Sequence, residues 1–74
     1  MIVKMFGRLN HNDETVWIDA NIDQHAITAY WNNTTYIEDI EIESDEWVIM
    51  LDGNEVVIKE DLNLLAFLQH KFER

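Results

Sequence analysis

From Leu9 to Ile58 the chain contains no lysine and no arginine, although the same fifty residues carry twelve carboxylates. Its five cations, Lys4, Arg8, Lys59, Lys71 and Arg74, lie towards the two ends. An absence of that length argues against direct DNA or RNA binding, which rests on basic side chains neutralising phosphates. It argues equally against docking on anionic lipid. Cysteine is missing altogether. Disulfides, thiolate metal sites and cysteine nucleophiles are therefore excluded, as suits a reducing compartment. There is no proline, and the glycines are Gly7 and Gly53, so no flexible linker divides the chain. Long apolar runs are missing too. Met1 to Phe6 is broken by Lys4 and followed by Gly7 and Arg8, too short for a secretory or membrane-spanning segment. Without such a segment, the glycosylation-like triplets at Asn32 and Asn33 read as a turn. A soluble cytoplasmic protein is the expectation.

What is present is a folding chain. Of its 74 residues, 47% are hydrophobic, including three Trp, three Phe and two Tyr, which separates it from disordered acidic tails. Residues 1–74 read as one acidic domain with net charge −10. A domain of this size buries only roughly 60% of the surface that its unfolded chain exposes.

β-Branched and aromatic residues dominate to about Lys59, and then the period changes. Residues 2–9 predict a first strand, with Gly7 at a bulge or close approach. Asn10 to Glu14 predicts a turn. Thr15–Ala20 alternates, Val16, Ile18 and Ala20 on one face, Trp17 and Asp19 on the other. After a loop at Asn21–Gln24, a third strand is expected over His25–Trp31, and Asn32–Thr35 turns the chain. Tyr36–Glu43 reads as a fourth strand. It places Asp39, Glu41 and Glu43 in a row about 6.6–6.8 Å apart, and Ile37 on the acidic face unless a bulge at Glu38-Asp39 resets the phase. Ser44–Glu46 turns again. Trp47–Leu51 is continuously apolar, as suits a central strand covered on both faces. Asp52-Gly53-Asn54 is the strongest hairpin signal, leading into a strand at Glu55–Lys59. Asp61 then suits a helix N-cap, with Leu62, Leu64, Leu65, Leu68 and Phe72 within one arc. Lys71 and Arg74 complement the helix dipole. The fold expected is α+β: a small antiparallel meander of about five to six short strands with one C-terminal helix packed on it.

Catalytic and metal-binding patterns are weak. Asp19-Ala20-Asn21-Ile22-Asp23 begins like a calcium loop, but Gln24 stands where the sharp turn needs glycine and Tyr30 where a bidentate Glu is needed. His11, His25 and His70 lack zinc-ligand spacing. The lone serine, Ser44, lies between Glu43 and Asp45, where an oxyanion would be repelled. No glycine-rich phosphate loop exists. The expectation is no enzyme, no cofactor and no metal.

The acids themselves are the candidate site. Glu38, Asp39, Glu41, Glu43, Asp45 and Glu46 fall within nine residues, and a one-sign surface selects cationic partners. Regular negative charge is also what a nucleic-acid backbone presents. In charge, size and style the chain resembles small nucleic-acid mimics, including phage and mobile-element inhibitors of nucleic-acid enzymes. The partner expected is then a basic, nucleic-acid-binding protein, engaged by a monomer or homodimer. The alternative is an accessory protein that self-associates or docks in an assembly through a sheet edge and exposed aromatics. Adjacent residues Tyr30 and Trp31 cannot enter the same core layer. Burial of both, beneath a helix on one face and a curled sheet on the other, is the favoured arrangement. An uncovered Trp31 would instead be an interface anchor. On the bland reading, the acids only keep a half-exposed sheet soluble and unaggregated.

Overall fold

Strand-favouring sequence up to Lys59 and helix-favouring sequence after Asp61 give two layers. The computed structural model describes residues 1–8 and 15–73, of which Arg8 and Thr15 by backbone alone. The strands are β1 (Ile2–Arg8), β2 (Thr15–Asn21), β3 (Ile27–Asn32), β4 (Thr35–Ile37), β5 (Ile40–Ile42), β6 (Glu46–Leu51) and β7 (Asn54–Lys59), followed by helix α1 (Leu62–Phe72). Five strands form one antiparallel sheet in the order β2-β1-β7-β6-β3, and β4 with β5 forms a separate two-stranded sheet. The expected α+β architecture, an antiparallel sheet carrying a C-terminal helix, is what the chain adopts. The turn cluster at residues 10–14, with His11, lies outside the described residues.

The pairing follows local chemistry. Asp52 and Gly53 both have positive φ, 52° and 80°, which is the two-residue turn that matches strand twist. It sets Val48 against Val57 and Trp47 against Ile58. The central position belongs to β7, which brings Ile58 beside Met5 of β1, so the apolar strand β6 is interior but not central. Gly7 makes no bulge: it pairs with Val16 in unbroken register, and a Cβ there would meet Ile18 at an ordinary 3.5 Å. The irregularity lies in β3, between Ile27 and Ala29. That strand also starts later than expected. The Asp23 carboxylate accepts from the His25 N–H at 3.0 Å and caps a 3-10 turn over Gln24–Ala26.

Alternation then sorts the sheet into two faces. Val3, Ile27, Ile49 and Ile58 meet Ile22, Leu64 and Leu68 in one buried cluster. The helix starts at its predicted cap, where Asp61 Oδ1 accepts from Leu64 N–H at 3.0 Å. Its apolar arc is narrower than expected, because Leu62 is 75% exposed while Leu64, Leu65 and Leu68 are buried. At the other end, Lys71 Nζ donates to the carbonyls of His25 and Ile27, each at 2.7 Å. That clamps the last turn of α1 to the start of β3. Tyr30 on this face stacks on Trp47, with ring centroids 6.0 Å apart, and lies 5.8 Å from Phe72.

Candidate interaction site

Glu38 and Asp39 decide the geometry of the acidic stretch. Both have positive φ, 50° and 66°, so they form a two-residue hairpin turn of the same kind as Asp52-Gly53. The expected continuous strand Tyr36–Glu43 is therefore split into β4 and β5, and the row of Asp39, Glu41 and Glu43 does not form. Folding back pairs Ile37 with Ile40, Tyr36 with Glu41 and Thr35 with Ile42. Since i and i+2 share a face, Thr35, Ile37, Ile40 and Ile42 lie on one side, Tyr36 and Glu41 on the other. Every residue of both strands is exposed.

The base of this hairpin is fastened by side chains. The Asn32 amide pairs with both backbone groups of Ser44: its Nδ2 donates to Ser44 O at 2.9 Å and its Oδ1 accepts from Ser44 N–H at 3.1 Å. Thr34 Oγ1 donates to the same Oδ1. The Ser44 hydroxyl shares its hydrogen between Asn33 O (2.9 Å) and Glu46 O (3.1 Å), and accepts from Glu46 N–H at 3.0 Å. The lone serine is thus a structural knot. It directs a short hairpin that would be marginal by itself in water.

Against this frame the six acids separate. Glu38 and Asp39 form the tip, Glu41 lies in β5 and Glu43 follows it, all four exposed. Asp45 and Glu46 stay at the base and are already engaged. Asp45 pairs with Lys59 at 3.2 Å, and Glu46 Oε1 accepts from Asn33 Nδ2 at 3.2 Å. Trp31 belongs to neither group. It lies on the sheet face opposite the helix, 40% exposed, which overturns the favoured expectation that Tyr30 and Trp31 are both buried.

On that outer face, Trp17 pairs with Phe6, Val57 with Val48 and Val48 with Trp31. The Met5–Ile58 pair sets Phe6 alongside Val57, so one apolar row crosses all five strands. Phe6 meets Trp17 edge-on at 5.6 Å, and Lys59 Nζ stands 4.6 Å above the Trp17 ring. Lys4 forms an ion pair with Asp19 beside them. Along this row Val48 is buried while Phe6 and Trp31 are exposed, and α1 packs on the other side of the sheet.

Sequence reasoning found the acids and missed Tyr36, Ile37, Ile40 and Ile42. Their signal was the phase break, since Ile37 and Ile40 cannot share a face in one uninterrupted strand. A two-residue turn between them restores it.

Elsewhere the chemistry is sparse. A wide-mouthed cleft of about 230 Å³ is lined by Tyr30, Gln69, Phe72 and Glu73, below the usual range of small-molecule pockets, about 300–1,000 Å³. Among the described residues no group of three or more His, Asp or Glu is placed to hold a metal ion. No described helix is long and apolar enough to cross a membrane. No protein-family model matches the chain, and no significant match was found among curated proteins or solved structures.

Proposed function

We propose that this protein is a non-catalytic acidic binding module that engages a basic, nucleic-acid-binding protein in the cytoplasm and blocks or modulates it. The observation that carries this reading is the fastened hairpin, which holds Glu38, Asp39, Glu41 and Glu43 in solvent with no cation in its sequence. Such a projection suits a groove lined by Lys and Arg, where nucleic acid would otherwise bind, and its encounter is steered by charge. Mimicry here is of charge density at a tip, because the regular strand row is absent.

The test is capture from cell lysate on the immobilised protein, at low and moderate salt, with duplex DNA and RNA as competitors. The matching variant carries Glu38→Gln, Glu41→Gln and Glu43→Gln; Glu46 is spared because it bonds Asn33. Capture of a nucleic-acid-binding protein, lost to competitor, salt and variant alike, is the expected result. A partner that the variant retains would assign the carboxylates to solubility.

The outer sheet face favours a second reading, an accessory protein that docks or self-associates through Trp31 and Phe6. Light scattering separates the two, since that reading requires a stable oligomer insensitive to salt.

A further inference from the structure

The β4–β5 hairpin carries an apolar side that a purely ionic contact would leave unused. Ile37, Ile40 and Ile42 are 56%, 64% and 43% exposed, and the register gathers them on one face. The fastening at Asn32 and Ser44 fixes the hairpin by its base, with every residue of both strands left in solvent. A strip of three isoleucines on a projecting element is an aggregation hazard unless something covers it. Charge decides among the candidates. Acids flank the strip along the chain, with Glu38 and Asp39 in the turn at its tip and exposed Glu43 just after β5, and the sequence from Leu9 to Ile58 holds no cation. A second copy brings another net charge of −10 and an equally acidic hairpin, so repulsion opposes it. A segment with apolar and basic side chains meets both features at once.

Building on the proposed binding function, we infer that the Ile37–Ile40–Ile42 face seats a cationic amphipathic peptide segment of the partner. Its apolar side chains cover the isoleucines, and its Lys or Arg side chains reach Glu38, Asp39 and Glu43. Charge selects and orients the segment; apolar burial supplies the part of the affinity that salt does not screen.

Two synthetic peptides of equal length and charge test this on the full chain, one alternating Lys with Val and the other alternating Lys with Ser. The Lys–Val peptide is expected to bind at least about tenfold more tightly and to keep a measurable affinity at moderate salt. Ile40→Thr, which retains strand preference, should bring it down to the Lys–Ser level, and Trp17→Ser on the outer sheet should leave it unchanged. Equal binding of the two peptides, weakened by the triple Gln variant, keeps the acidic module and removes the apolar seat. Binding of neither peptide removes both. Loss with Trp17→Ser instead of Ile40→Thr moves the seat to the sheet and overturns the inference. So does self-association, followed by sedimentation, that Ile40→Thr abolishes, because the occupant is then a second copy.

Discussion

Two turns of the same shape are made from different residues, and the difference has a sign. Gly53 adopts its φ of 80° without the Cβ–carbonyl clash that penalises other residues there. Although a Cβ at Gly53 meets nothing within 4 Å, Gly53→Ala is expected to cost about 1 kcal/mol through backbone strain alone. At the hairpin tip Asp39 holds φ 66° with a side chain, so Asp39→Gly should stabilise the protein, by up to about 1 kcal/mol. Urea denaturation of the two variants reads both, and equal signs would refute the turn assignment. The same comparison explains what the sequence concealed. Asp-Gly announces a tight turn, whereas glutamate is no turn former, so Glu38-Asp39 passed for the middle of a strand.

At the scale of elements, the hairpin and the helix stand at opposite extremes. The helix was legible end to end because its signals are local: a capping aspartate at Asp61 and leucines at helical spacing. Only its arc was misjudged, since Leu62, about 160° round the helix from Leu64 at about 100° per residue, is exposed. The hairpin buries none of its strand residues, so burial gave the sequence pattern no constraint, and its bonds to the body come from polar residues whose partners lie 11 to 13 positions away. Asn32→Ala removes both bonds to the Ser44 backbone. Its loss should lower the local opening free energy by about 1–3 kcal/mol, so exchange of amide hydrogens over residues 35–42 should quicken roughly five- to a hundredfold. Amides around Ile49 and Ile58 should change less. A uniform acceleration would mean that Asn32 supports the whole fold and not the hairpin.

For the whole molecule, charge and layering dominate. Two described ion pairs, Lys4–Asp19 and Lys59–Asp45, relieve little of a net −10, and exposed pairs are worth little in any case. Screening weakens the repulsion among the remaining carboxylates more than it weakens these pairs. The melting temperature should therefore rise between low and moderate salt; a flat or falling curve would show that repulsion is not limiting stability. Fold class was legible at this scale because the change of period at Asp61 is abrupt. Strand order was not, since it depends on which edge of the C-terminal strands receives β1, and several antiparallel orders satisfy the same alternation. The exposure of Trp31 follows from the same count of layers, because one helix can cover one face.

The central place of β7 also orders events in time. Strands β6 and β7 and helix α1 are consecutive, so their contacts close short loops and form early. The first strand must wait for a partner more than fifty residues downstream, Ile58 for Met5. A chain emerging from the ribosome therefore exposes the inner edge of β1 until β7 has been made. Completion of the sheet is then a late step that joins its first strand to its last.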